Sequence, residues 1–336
     1  MPLPRPPTPM PVSAVRRILI VAPNWIGDAL MAQPLVARLR EKLGAVEVHV
    51  LAPPWVAPVA RRMEGVDDVI EADFRHGALQ LRERWRLGRS LRGHGYQQAI
   101  VLPNTWKSAL VPFFADIPLR SGYVGESRYG LLNLVYQARE KRPPMAAHYA
   151  ALAEAPGTAP VEALPAPRLR ADAAAARAVA DRFGLPPRYA AYCPGAEYGP
   201  AKRWPRFGEL SAQSDTPVVL LGAPADRAAC EGIAGRNLAG ETTLDEAIDL
   251  VAAADYVVTN DSGLMHVAAA LDRPQVALFG SSSPEHTPPL SPRARVVWLR
   301  PDCSPCFARE CPLGHLRCLR ELAPDRVREE IGRLAQ

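Results

Sequence analysis

Three short segments hold most of the side chains in this chain that could do polar chemistry. Pro23-Asn24-Trp25-Ile26-Gly27-Asp28 ends in a carboxylate behind a glycine, a residue that admits backbone conformations others disfavour. A carboxylate at the mouth of a crevice can take a proton from a hydroxyl, or it can serve only to cap the helix that follows. Asn260-Asp261-Ser262-Gly263-Leu264-Met265-His266 puts Asp261 or Ser262 where a helix cap belongs. The amides after such a loop, with the positive end of the helix dipole, suit an anion. His266, roughly one turn into that helix, can share the same face. The third segment, Cys193 to Pro205, carries Lys202 and Arg203, which could reach an anionic ligand or remain a solvated pair.

A fourth constellation is sulfur-rich. Cys303, Cys306, Cys311 and Cys318 lie in one short C-terminal stretch with His315 among them. Four thiolates at that spacing can supply a tetrahedral structural site for zinc, with His315 as a spare ligand; unligated thiols are the alternative. Six cysteines in 336 residues are too few for a disulfide framework, and a cytoplasmic chain keeps them reduced.

Other chemistries lack their signatures. The chain has no G-x-G-x-x-G, Walker A, G-x-S-x-G or H-E-x-x-H sequence. It also lacks an acidic D-x-D triplet for a divalent cation, so a nucleotide-sugar enzyme built this way must neutralise a diphosphate with amides and cationic side chains. The formal charge of +5 suits an anionic ligand, an anionic membrane surface or nucleic acid without choosing among them. Apolar runs such as Ile18–Ala22 are too short to span a bilayer, and the segment 1–16, dense in proline, has no long apolar core of the kind a secretory signal needs. A soluble, cytoplasmic protein is expected.

The elements that must hold these segments alternate. Arg17–Val21 is a nearly continuous apolar run, the form of a strand buried on both faces, and Asp28–Leu43 follows with helical spacing and a kink expected at Pro34. Strands are expected again at Val46–Leu51, Val69–Ile70 and Gln98–Leu102, with an arginine-studded helix at Leu79–Leu91. After an Ala/Pro-rich stretch, Ala155–Arg170, the pattern restarts. Helices are expected at Ala171–Phe183, Leu244–Ala254, Gly263–Leu271 and Asp325–Leu334, and one begun by Trp204-Pro205. Strands are expected at Tyr189–Cys193, Pro217–Leu221, Tyr256–Thr259 and Gln275–Phe279. Alternation of this kind predicts an α/β fold of two doubly wound, Rossmann-like domains, 17–160 and 161–336, facing across a cleft. All three polar segments then sit at strand ends.

The strings N-W-I-G-D, P-G-A-E-Y-G-P-A-K-R-W-P and N-D-S-G-L-M-H-V-A-A-A-L resemble glycosyltransferase family 9, as does Leu102–Asn133 with its L-P-N-T-W-K-S-A-L-V-P-F-F and S-R-Y-G-L-L-N. The similarity runs from about Arg17 to near Arg300. It implies a GT-B fold and inverting transfer of L-glycero-D-manno-heptose from ADP-heptose to the first heptose of the lipopolysaccharide inner core, on a heptosyl-Kdo2-lipid A acceptor. It also implies Asp28 as the catalytic base and an acceptor-binding first domain. Lys202, Asp261, Ser262, Gly263, Leu264 and His266 match donor-binding positions of the second, and Asp226 aligns loosely with an acidic ribose-binding position.

Lys107, Arg120 and Arg128 are candidate contacts for the anionic acceptor, and the run Leu81–Arg89 could touch the inner face of the cytoplasmic membrane peripherally or be a solvated basic helix. No cofactor is expected to be required, although Mg²⁺ could assist. Transfer to a different core position and another family 9 activity remain open, as does nucleotide-sugar epimerisation, which can share the two-domain fold. Nucleic-acid binding has only the basic charge in its favour and no aromatic-rich reading surface.

Overall fold

The structure, a computed structural model, describes residues 15–75, 77–138, 143–159 and 163–335. The proline-rich segment expected at 1–16 lies, but for its last two residues, outside the described residues. The chain divides into two compact units, Met1–Pro165 and Ala166–Gln336, at a point inside the Ala155–Arg170 stretch.

In the first unit, β1 (Arg17–Val21) is buried from Ile18 onward because it runs mid-sheet with parallel neighbours on both sides. With β2 (Glu47–Ala52), β3 (Asp68–Glu71), β4 (Gln98–Val101), β5 (Leu119–Tyr123) and β6 (Leu134–Tyr136) it forms a parallel sheet of order β3-β2-β1-β4-β5-β6. The helices are α1 (Ile26–Met31), α2 (Gln33–Leu43), α3 (Ala57–Arg62), α4 (Leu81–Leu91), α5 (Leu110–Phe114) and α6 (Met145–Ala150). Where a single kinked helix was expected over 28–43, the chain makes two. Pro34 falls in the first turn of α2, where its missing N–H costs no helical bond, and Ala32 is the junction. β5 carries no strand signal in the sequence because Arg120, Ser121 and Gly122 interrupt any apolar run. Gly122 is there for space: a Cβ would come within 2.7 Å of the Val101 carbonyl oxygen on β4.

The second unit repeats the plan. β7 (Ala190–Cys193), β8 (Val218–Leu220), β9 (Arg236–Asn237), β10 (Tyr256–Asn260), β11 (Gln275–Phe279) and β12 (Ala294–Trp298) form a parallel sheet of order β12-β11-β10-β7-β8-β9. Read from its other edge, this is the connectivity of the first sheet. Its helices are α7 (Ala173–Arg182), α8 (Phe207–Ala212), α9 (Leu244–Ala253), α10 (Gly263–Ala270), α11 (Arg317–Arg320) and α12 (Pro324–Gly332). Two starts are capped by side chains: Asp172 accepts the Ala175 N–H at 2.7 Å, and Thr243 with Glu246 forms a capping box on α9. The core gathers Tyr192, Trp204, Phe207, Leu220, Val276 and Leu319. Each sheet reverses its strand order beside its first strand, between β1 and β4 and between β7 and β10. Ligands of doubly wound sheets bind at the carboxyl ends of the strands flanking that point. Asp28 follows β1; the other two polar segments follow β7 and β10.

Candidate active site

In the first unit, Asp28 lies in the first turn of α1, half-buried, and Trp25 rather than Asp28 occupies the cap position. Gly27 is helical, so it supplies no special backbone conformation. The loop before it is braced by the exposed Trp55, whose Nε1 donates to the Asn24 carbonyl at 2.8 Å. Tyr149 on α6 is buried; burial pushes its phenol well above the usual range, and the nearby Asp28 carboxylate pushes it the same way. Sequence spacing gave no hint of Tyr149, which lies 121 positions from Asp28 and joins it only because α6 packs on α1.

The three acceptor candidates divide. Arg128 is 2% exposed, and its guanidinium donates to the carbonyls of Tyr123 at 2.6 Å and Thr105 at 3.3 Å, to the Pro103 carbonyl, and to Asn104 Oδ1 at 3.2 Å. Burial brings it down to about 10. Arg120 donates to the carbonyls of Leu131 at 2.7 Å and Ile117 at 2.6 Å. Both arginines satisfy loop carbonyls, Arg128 from a buried position and Arg120 from a partly exposed one. Lys107 is partly exposed and has no carboxylate partner among the described residues.

The second unit brings the donor candidates together. Asn260, fully buried at the end of β10, donates to the Pro194 carbonyl at 2.6 Å and accepts the Trp204 N–H at 3.1 Å, so one amide ties the loop after β7 to the loop after β10. That tie places Lys202 Nζ 2.6 Å from Asp261 Oδ2, with both side chains largely buried. Lys202 is therefore not a solvated cation. Its ammonium also lies 4.8 Å from the centre of the Tyr198 ring. Ser262 takes the cap position of α10 without a side-chain cap bond, and Gly263 and Leu264 form its first turn. His266 is buried; burial pushes it down to about 4, the Asp261 carboxylate opposing and the Lys202 ammonium assisting.

Asp226 is buried one loop away and is engaged there: it accepts the Ala223 N–H at 3.1 Å and faces Arg203 at 3.6 Å. It packs so closely on the loop after β7 that a Cβ on Gly195 would meet its carboxyl carbon at 2.1 Å. At the end of β11, the buried hydroxyls of Ser281 and Ser282 have no hydrogen-bond partner among the described residues. The four C-terminal cysteines and His315 line one small cavity with Ala201 and Ser281. Cys311 Sγ accepts the Leu316 N–H at 3.3 Å, which with neighbouring amides lowers its thiol, whereas burial first and then the other three thiols raise Cys318 to about 11. Among the described residues, no three His, Cys, Asp or Glu groups are placed to hold a metal ion.

The sequence profile of glycosyltransferase family 9 (heptosyltransferase) matches residues 84–317. This chain belongs to that family. It is 43% identical to the lipopolysaccharide heptosyltransferase 2 of Escherichia coli K12, covering 95% of this chain and 98% of that one. It is 39% identical to the lipooligosaccharide heptosyltransferase 2 of Haemophilus ducreyi, covering 95% and 99%. The solved structure of the E. coli ADP-heptose LPS heptosyltransferase II superposes with a TM-score of 0.84 at 41% identity, covering 95% of this chain and 98% of that one. The fold is GT-B, and membership of a transferase family displaces the epimerase alternative. Among the described residues no helix is long and apolar enough to cross a membrane.

For this family 9 enzyme, the buried His266 is expected to stay neutral at physiological pH. Its folded value, about 4, lies below the ordinary 6.5, so the folded state binds fewer protons and stability falls as pH drops from 6.5 towards 4. In an NMR titration its imidazole should not titrate between about pH 5.5 and 8; a midpoint near that of a free imidazole would contradict the burial.

Proposed function

We propose that this chain is the glycosyltransferase that moves L-glycero-D-manno-heptose from ADP-heptose to the first heptose of a lipopolysaccharide inner core, inverting the anomeric centre. The kinship along nearly the whole chain to heptosyltransferase 2 enzymes carries the reading, and the donor-side cluster of Lys202, Asp261 and His266 supports it. The acceptor hydroxyl attacks the anomeric carbon from the face opposite ADP. A new glycosidic C–O bond forms as the bond to the β-phosphate oxygen breaks, and Asp28 takes the hydroxyl proton. Positive charge develops on the sugar ring and negative charge on ADP, where Lys202 and the amides opening α10 stabilise it more than in the ground state. His266, held neutral, adds no charge and can donate or accept a single hydrogen bond. Asp226 is the acidic group assigned to the ribose.

No resident metal is assigned a step; Mg²⁺ could assist by pairing with the diphosphate. Lys107 remains the acceptor-side cation, with Arg120 and Arg128 shaping the loops around it. The membrane contact falls to the outer face of α4. Arg82, Trp85, Arg86 and Arg89 are exposed there, on the side away from the buried Arg84, Gly88 and Leu91, and Arg89 lies 5.9 Å from the Trp85 ring. Cations beside an interfacial aromatic suit anionic headgroups.

Purified protein given ADP-heptose and heptosyl-Kdo2-lipid A should release ADP and add one heptose mass to the acceptor. Asp28→Asn, which keeps the shape, should slow that transfer by about 100- to 10,000-fold. Melting temperature and ADP affinity should change little. Normal turnover in this variant would remove Asp28 as the base, and loss of folding would return it to a structural role. On phosphatidylglycerol vesicles, replacing Arg82, Arg86 and Arg89 by Gln should weaken binding by about 100-fold, at ~1 kcal/mol per cation. Equal binding of the parent protein to neutral and anionic vesicles would refute the membrane assignment.

A further inference from the structure

Lys202 alone is a poor neutraliser of a diphosphate. Its ammonium is matched by Asp261 at 2.6 Å, so the pair brings almost no net charge to a ligand that carries at least two negative charges. The other cation on the same loop, Arg203, faces Asp226 at 3.6 Å and donates to the Ala196 carbonyl at 3.2 Å. A donor site that also lacks a D-x-D metal pair needs positive charge from elsewhere in the second unit.

The structure assigns that charge to Arg309, as a second cation for the diphosphate of the nucleotide-sugar donor. Arg309 is exposed and has no carboxylate partner among the described residues. Its guanidinium lies 5.3 Å from the centre of the Tyr198 ring, the ring that also carries Lys202 Nζ at 4.8 Å. Two cations therefore converge on one aromatic side chain at the loop after β7.

The backbone holds this arrangement at several points. The Arg309 carbonyl accepts the Ala201 N–H at 3.0 Å, and it comes so close to Gly199 that a Cβ there would lie 2.5 Å from that oxygen. Gly199 has a φ of +149°, which glycine tolerates far better than other residues. Tyr198 donates its hydroxyl to the Phe307 carbonyl at 2.7 Å, and the Phe307 N–H reaches the Ser281 carbonyl beyond β11 at 2.7 Å. The turn 307–309 is thus fixed to the loops after β7 and β11 before any ligand arrives. Cys306 and Cys311 bracket that turn, which gives the cysteine-rich segment a reason to sit against the donor loop. A planar, delocalised guanidinium that is weakly hydrated and stacked on a ring suits phosphate oxygens better than a second ammonium would.

The inference rests on ADP-heptose being the donor, and its test separates the two claims. ADP and adenosine are titrated calorimetrically into the parent protein, Arg309→Ala and Arg309→Lys. Arg309→Ala should bind ADP about 10- to 100-fold more weakly, with adenosine affinity and melting temperature unchanged, because only a phosphate contact is lost. Arg309→Lys should recover part of the loss. In turnover, the KM for ADP-heptose should rise while that for the acceptor stays constant. Parent-like ADP binding by Arg309→Ala, or equal losses for ADP and adenosine, would overturn the role of Arg309 and leave the donor assignment standing. Failure of the parent protein to bind ADP would overturn both.

Discussion

The ion pair between Lys202 and Asp261 is the constraint around which the second unit is arranged. Removing two charges from water costs several kcal/mol for each ion, and a buried pair recovers this only with close geometry and a supporting shell. Here that shell is visible. Asn260 ties the two loops so that the partners meet, and the Tyr198 ring covers the ammonium from another side. Breaking one partner would leave an uncompensated charge beside the buried His266. The pair therefore fixes the loop after β7 against the loop after β10 at the reversal of the strand order, where doubly wound sheets take their ligands.

A neutral pair also decides how the site meets an anion. It keeps the protein from holding a bare cation under cover before a ligand arrives, and in the proposed reaction a departing phosphate would share Lys202 with Asp261 as negative charge develops. Such a change strengthens binding in the transition state more than in the ground state, which is what accelerates a chemical step. The imidazole of His266, kept neutral by burial and by the adjacent ammonium, does not compete for that charge. On the first unit the requirements are simpler. As the proposed base, Asp28 needs only a fixed turn and partial access to solvent, and the Trp55 bond to Asn24 supplies the first.

Much of this was legible in the sequence because parallel strands buried on both faces read as short apolar runs. β1, β2, β4, β7, β8, β10 and β11 all appear within a residue or two of their expected bounds. β5 and β6 do not, since edge-side strands with Arg120, Ser121, Gly122 and a three-residue length carry no such run. The donor-side candidates were legible as types at strand ends, but not as partners. Nothing in spacing says that Lys202 meets Asp261, that Asp226 is pressed against Gly195, or that Arg128 turns inward to satisfy four oxygen acceptors. Those outcomes follow from which loops the sheet order brings together. The cysteine spacing was legible as a cluster, and the fold brings all four thiols and His315 to one small cavity.

Lys202 and Asp261 act as a unit, and a double-mutant cycle on ADP affinity measures that. Lys202→Met, Asp261→Asn and the double variant would each be titrated with ADP alongside the parent protein. Each single change should weaken binding by roughly tenfold or more, and the double variant should be little worse than the weaker single one, a coupling of about 1.5 kcal/mol or larger. Additive losses would contradict the account, since two groups that contribute independently do not form the joint on which the donor loops are held.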